Sequence, residues 1–305
     1  MPKVSFVLPA YKGRFLKEAI ASILAQTYRE FELVVVDDCS PDELKAIVDG
    51  FSDPRVAYYR NETNLGGKDL VAAWEHAMTF ATGEWCVLAS DDDVYAPRFL
   101  EEMVRLIERH PQVDLVHSRV RIIDGDGRMC GLSPVKPEVE SAIELQYARI
   151  VEGASQYAPE FMFRKARLDA IGGFVNFPKA WYSDDATWTL MAAKGCANCN
   201  EPLFSFRRSG LNISSSYAQV FDLVEAGVRY LSWAREHLDS MSPSNDIEEF
   251  MLEETRKCLE GRVKRLVYSE LDRTSLLERW RVLFRSSLPC GWRLRYLYRR
   301  FKSWI

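Results

Sequence analysis

The sequence predicts an α/β protein: a mainly parallel sheet flanked by helices, followed by a helical extension. Three observations carry this prediction. In the first half of the chain, short apolar runs alternate four times with stripes at helical spacing. Two of those runs end in clustered aspartates, Asp37-Asp38 and Asp91-Asp92-Asp93. From about Ser216 onward the chain is helix-friendly and offers no further strand.

The first strand is the run Val4-Ser5-Phe6-Val7-Leu8, closed by Pro9. Leu16, Ile20, Ile23 and Leu24 then recur as one helical face. Residues 31–36 form a second strand, and Leu44, Ile47, Val48 and Phe51 a second stripe. A third strand at 56–59 precedes the helix marked by Val71, Trp74, Ala77 and Met78. A fourth at 85–89 precedes a helix through 99–107. Such alternation implies right-handed crossovers with helices on both sheet faces. Further on, 115–123 reads as a longer strand before the turn Asp124-Gly125-Asp126-Gly127, and 161–164 as another. Residues 186–194 read as a helix stopped by Gly195, and 202–207 as a last strand. The expected division is 1–215 for the α/β domain and 216–305 for the extension. Within the former, about 1–124 would hold a nucleotide and about 125–215 a second substrate.

Composition excludes several classes. Hydrophobic residues make up 47% of the 305, enough for a large core, so global disorder is ruled out. A net charge of −4 argues against a dedicated nucleic-acid binder. The seven scattered cysteines form no disulfide framework. Cys196 and Cys199 make a C-x-x-C, but no second pair completes a zinc site, so buried structural thiols are expected. No signal-peptide pattern opens the chain, and no apolar run approaches the ~20 residues that span a bilayer. The expected location is the cytoplasm.

In an open parallel sheet, ligands bind beyond the carboxyl ends of the strands. Three adjacent carboxylates there repel one another, and a hard divalent cation with oxygen ligands relieves the repulsion. A solvated helix cap is the alternative reading of the triplet. Pro9-Ala10-Tyr11 offers a rigid turn and an aromatic face for a base, and Asp38 an acceptor for a ring N–H. Gly66-Gly67 permits close backbone approach, and Lys68 could face a phosphate. No P-loop and no G-x-G-x-x-G after the first strand is present.

Taken in order, these motifs resemble family 2 glycosyltransferases of the GT-A fold. The resemblance runs through Val4-Ser5-Phe6-Val7-Leu8-Pro9-Ala10-Tyr11, Phe31 to Ser40, Asn64-Leu65-Gly66, Ala81-Thr82-Gly83-Glu84-Trp85 and Ser90-Asp91-Asp92-Asp93 through Pro97. It continues in Ile171-Gly172-Gly173-Phe174, Asp184-Asp185 and the segment from Phe206-Arg207-Arg208-Ser209 to Ser214. It implies an inverting transfer from a nucleotide-sugar donor, a UDP-sugar by expectation, to a saccharide or lipid-linked saccharide of a bacterial surface glycan. Carried over by position, Pro9, Ala10 and Tyr11 would line the base pocket and Asp38 would read the base. Gly66, Lys68, Arg207 and Arg208 would contact the donor, and Asp91 would hold the ribose. Asp92 or Asp93 would bind Mn2+ or Mg2+ bridging the diphosphate. Asp185 takes the place of the catalytic base. Such a displacement needs a base on the acceptor hydroxyl and an electrophile on the leaving group. Many family members carry a His where this chain has Ser209, a weak metal ligand; Arg207 or Arg208 would then neutralise charge.

Residues 273–305 contain nine Arg or Lys and one acid, Glu278. Leu276, Trp280, Leu283 and Phe284 form an apolar stripe, and Trp292, Tyr296, Phe301 and Trp304 continue it. This composition predicts either an interfacial helix on anionic lipid at the inner face of the membrane, or packing on the protein or in a homo-oligomer. A sugar-nucleotide nucleotidyltransferase is the rival enzyme, but its Gly-rich basic loop is poorly matched by Lys12-Gly13-Arg14. A non-catalytic module on the same fold would be expected to lose the acids.

Overall fold

A computed structural model describes residues 3–210 and 220–302. Two-layer wrapping of a single sheet follows the predicted alternation. The elements are β1 (Val4–Ala10), α1 (Leu16–Leu24), β2 (Phe31–Asp37), α2 (Leu44–Asp49), β3 (Val56–Arg60), α3 (Leu70–Met78) and β4 (Trp85–Leu88). They continue as β5 (Val94–Tyr95), α4 (Phe99–Arg109), β6 (Leu115–Asp124), β7 (Met129–Leu132), β8 (Val139–Glu140), α5 (Ala142–Tyr147), β9 (Phe161–Arg164) and α6 (Lys165–Ala170). Then come α7 (Ser183–Met191), β10 (Cys196–Arg208), α8 (Val220–Ser240), α9 (Asp246–Arg273), α10 (Leu276–Arg285) and α11 (Cys290–Lys302).

The strand order is β3-β2-β1-β4-β9-β6-β10-β5, with β7 on β6 and β8 on β10. β1 pairs in parallel with both β2 and β4, and β2 with β3. Their carboxyl ends therefore share one edge, and chain order reverses between β1 and β4. Side chains alternate faces along each strand. Phe6 and Leu8 enter the core under α1, α2 and α4, while Val7 enters the one that includes Val71 of α3 and Trp188 of α7. The second half of the sheet is mixed, because β9 runs antiparallel to β4 and β6.

Two predicted element bounds change. The last strand starts at Cys196, six residues before the predicted start, because parallel pairing to β6 carries it through the C-x-x-C with irregularities around Pro202. Cys196 is buried in that strand, and all seven cysteines are free thiols. The helix predicted at 186–194 begins at Ser183, so Asp184 and Asp185 lie in its first turn instead of preceding it. It ends as a tighter turn at Lys194, and Gly195 (φ +92°) stops it as predicted. The boundary set near 215, the 211–214 part of the last motif, the Phe301 side chain and Trp304 lie outside what the structure describes.

Helices α8 to α11 share an apolar core with Ile143, Ile150, Phe177 and Ala186 of the α/β part. The predicted C-terminal stripe divides. Leu283, Trp292 and Tyr296 face this core, whereas Leu276, Trp280 and Phe284 are exposed. Trp292 Nε1 donates to Glu260 at 2.9 Å, and its carbonyl accepts from the Tyr268 hydroxyl at 2.6 Å. Trp292→Ala should cost about 3–5 kcal/mol, read as a lower denaturant midpoint with unchanged slope.

Candidate active site

The loops after β1, β2, β3 and β4 meet at the shared edge, and hydrogen bonds to aspartates fix them there. Asp37 ends β2 fully buried, with its carboxylate receiving the Ser40 N–H at 2.8 Å, the Tyr58 hydroxyl at 2.6 Å and Arg60. Asp38 accepts from Asn61 Nδ2 at 2.7 Å and from the N–H groups of Leu65 and Gly66 at 2.9 and 2.7 Å. It therefore braces the loop after β3 in this state. Cys39, beside it, is held at φ +55°, a conformation that non-glycine residues adopt at a cost. A Cβ at Gly66 would stand 3.0 Å from Asp38 Oδ2, so a larger residue would have to push that carboxylate back by a few tenths of an ångström.

Asp91 crosses the switch point, its Oδ2 accepting the N–H groups of Tyr11 and Lys12 at 2.8 Å each. Those bonds bring the turn that follows Pro9 and Ala10, with the half-exposed Tyr11, to Asp91. Asp93 is 1% exposed. Its oxygens accept from Arg207 N at 2.8 Å and Ser90 Oγ at 2.6 Å. Asp92 is less buried, and Ser90 Oγ lies 3.0 Å from its Oδ1. Burial raises the pKa of all three acids; the Asp91 charge adds to it at Asp92, and the Asp92 charge at Asp93.

This donor set fits a hard divalent cation, which would relieve both the burial cost and the repulsion. Among the described residues no three His, Cys, Asp or Glu side chains converge on one metal position. A cation would thus be held by one or two of these carboxylates, with phosphate and water completing its shell, as suits Mg2+.

Arg207 does not present its guanidinium to the edge. It is 1% exposed, stacked 4.4 Å over the Phe15 ring, paired with Glu18 at 2.7 Å and donating to the Asp92 carbonyl at 2.8 Å. Its role is to hold the triplet's backbone. Arg208 is exposed at the end of β10, with Nη2 3.3 Å from the Tyr157 hydroxyl. Lys68 is exposed, and Lys179 reaches the carbonyls of Gly67 and Lys68.

Asp185 is 3% exposed in the first turn of α7. Arg149 clasps it with Nε and Nη2 at 2.5 and 3.0 Å, and Gln156 Nε2 lies 3.3 Å away. Asp184 Oδ1 accepts the Asp185 N–H at 2.9 Å. Burial, with the adjacent Asp185 charge, pushes the Asp184 pKa up to about 7. The entry to α7 is strained: Lys179, Ala180 and Tyr182 all have left-handed φ near +55 to +65°. Tyr182 is held there by stacking on Tyr230 of α8, ring centroids 4.7 Å apart.

A chain of contacts joins the two acid groups. Gln156 touches Asp185; Tyr157 stacks on Phe206 at 3.8 Å and meets Arg208; Arg207 binds Asp93. Sequence reading missed Arg149, Gln156, Asn61 and Ser90. Arg149 sits in a π-helical turn (Ala148–Glu152) that no local pattern signals, and its partner is 36 residues away.

The family model described as glycosyl transferase family 2 matches residues 5–171, which include the acid triplet. The putative glycosyltransferase EpsE of Bacillus subtilis is 34% identical over 142 residues, 45% of this chain and 50% of that protein. The putative colanic acid biosynthesis glycosyl transferase WcaA of Escherichia coli is 26% identical over 204 residues, 62% and 72% of the two chains. The matched region spans about half the length of several curated relatives. Among solved structures, S. aureus TarS 1-349 in complex with UDP-GlcNAc has a TM-score of 0.70 at 19% identity, covering 92% of this chain and 78% of that one. The mannosyltransferase PcManGT of Pyrobaculum calidifontis, in complex with GDP-Man and Mn2+, has a TM-score of 0.58 at 18% identity, covering 97% and 83%. These likenesses show the GT-A fold expected from the sequence. With more than half of its length matched by the family model, the chain belongs to glycosyl transferase family 2.

Proposed function

We propose that this protein is an inverting glycosyltransferase that moves a sugar from a nucleotide-sugar donor, a UDP-sugar, to a glycan or lipid-linked saccharide of a bacterial surface polymer. The observation that carries this reading is the contact path from Asp93 through Arg207, Arg208, Tyr157 and Gln156 to Asp185. It ties a diphosphate-facing acid cluster to a held carboxylate. TarS is described with UDP-GlcNAc and WcaA by colanic acid biosynthesis, which supports the substrate class.

Tyr11 and Asp38 flank the nucleotide base, and Asp91 orients the ribose beside the β1 turn. Asp92 is the principal metal ligand, because it is more exposed than the fully engaged Asp93. Mn2+ or Mg2+ bound there would draw charge from the departing diphosphate. Arg208, in place of Arg207, faces the donor. Asp185 removes the proton from the acceptor hydroxyl, with Arg149 and Gln156 fixing its orientation. The exposed Leu276, Leu277, Trp280 and Phe284, with Arg281 and Arg285, rest on anionic lipid at the cytoplasmic face. No helix among the described residues is long and apolar enough to cross a membrane.

Asp92→Asn should abolish the Mn2+-dependent part of nucleoside diphosphate affinity while melting like wild type. Asp93→Asn should instead melt earlier, since a buried acceptor of the Arg207 N–H is altered. Calorimetry and melting together check this; unchanged Mn2+-dependent affinity in Asp92→Asn contradicts the assignment.

Asp185→Asn should keep donor affinity and lose about 10²–10⁴-fold in transfer rate. Asp184 serves as its control. With a pKa near 7 it carries a proton in the folded chain that the unfolded chain has released, so stability falls as pH rises from about 4 to about 7. Asp184→Asn should therefore flatten that fall and melt later than wild type at alkaline pH. Full transfer by Asp185→Asn would remove it from the role.

Sedimentation with anionic vesicles should be strong at low salt and weakened by salt. Trp280→Ser with Phe284→Ser should reduce it without lowering the melting temperature. Wild-type protein that ignores such vesicles at low salt would refute the membrane contact.

A further inference from the structure

The helical extension sends one guanidinium to the edge of the base site, and among the described residues it has no hydrogen-bond or ion-pair partner. Arg262, on α9, is half-buried and makes no hydrogen bond or ion pair among the described residues. Its guanidinium lies over Gly153: a Cβ built there would stand 3.3 Å from Nη1 and 3.6 Å from Nη2. Gly153 has φ +78° and closes the π-helical turn that carries Arg149, and Arg149 Nη1 donates to the Ala154 carbonyl at 2.7 Å. Arg262 therefore packs on the same turn from which Arg149 holds Asp185.

The charges around it are unbalanced. Arg149 is used by Asp185 and Ala154, whereas Arg265, three residues along α9, is exposed and also without a partner among the described residues. Burial, together with the Arg149 and Arg265 charges, pushes the Arg262 pKa below its usual value. A guanidinium that is partly desolvated and makes no direct ion pair among the described residues is poised to gain one. Its planar fork of donors matches a phosphate oxygen pair. Tyr182 and Asp185 are close enough to affect its titration, so a group bound there would lie within electrostatic range of the proposed proton acceptor.

We propose that Arg262, supported by Arg265, forms an anion subsite that binds a phosphate group of the acceptor, so that α9 of the extension selects phosphate-bearing acceptors. This deepens the glycosyltransferase reading and rests on it. The phosphate belongs either to a lipid-linked diphosphate or to a soluble phosphorylated saccharide, and the binding chemistry is the same.

The test is calorimetric titration of the full chain with sn-glycerol 3-phosphate, without divalent ions so that the aspartate cluster recruits no phosphate. A second arm measures retention on phosphatidylcholine vesicles carrying a polyprenyl diphosphate. Binding in either arm should weaken about tenfold or more in Arg262→Ala and recover in part in Arg262→Lys, which keeps the charge but not the fork. Binding of both probes marks a soluble source, and vesicle retention alone a lipid source. Arg262→Gln, compared with wild type by melting, keeps the side-chain packing in case the alanine variant loosens the turn. Equal affinity in wild type, Arg262→Ala and Arg262→Gln, or no binding of either probe, overturns the subsite. Donor affinity with Mn2+, measured on the same samples, reports separately on the glycosyltransferase reading.

Discussion

Asp93 accepts the Arg207 N–H, and through this bond the chain leaving β4 is fastened to β10, three places along the sheet. The turn between them re-enters the sheet as β5 against β10, so the three acids are stretched across the edge. Arg207 completes the clasp from inside by donating to the Asp92 carbonyl. A buried carboxylate left without donors is costly, so each of these aspartates organises backbone around itself. Asp38 does so for the loop after β3 and Asp91 for the loop after β1. The proposed donor site is shaped by the same acids that give it its charge.

The proposed base site follows the same logic with a different partner. Asp185 obtains its donors from side chains, Arg149 and Gln156, and those lie on a segment between α5 and β9. That segment is itself pinned: Tyr157 to β10, and Gly153 under Arg262 of α9. The helical extension thus packs on the segment that holds Asp185. Tyr230 of α8 stacks on Tyr182, which enters α7 in a left-handed conformation just before the acid pair.

How much of this the sequence disclosed depended on the range of the interaction. The β1 to β4 alternation was readable because each strand is a contiguous buried run, and the acids because they end such runs. The start of β10 was not readable: its first residues, through Asn198, are polar or small, and pairing with β6 decides their state. Arg207 illustrates the limit in the other direction. Its position next to Arg208 marks it as a donor ligand, yet strand alternation turns it inward toward Phe15 and Glu18. Arg149 was invisible because its meaning lies in a residue 36 positions away.

The central claim is that the β4 edge presents a nucleotide-sugar to a single base, so that transfer proceeds by one displacement. Water can replace the acceptor, which makes the claim testable before the acceptor is known. An α-configured sugar nucleotide from a donor screen scored by nucleoside diphosphate release would be incubated with the protein and Mn2+. Proton NMR would then record the first sugar released, before mutarotation. The account predicts that the β anomer appears first. The α anomer appearing first would mean two displacements through an enzyme-bound sugar, and would contradict it.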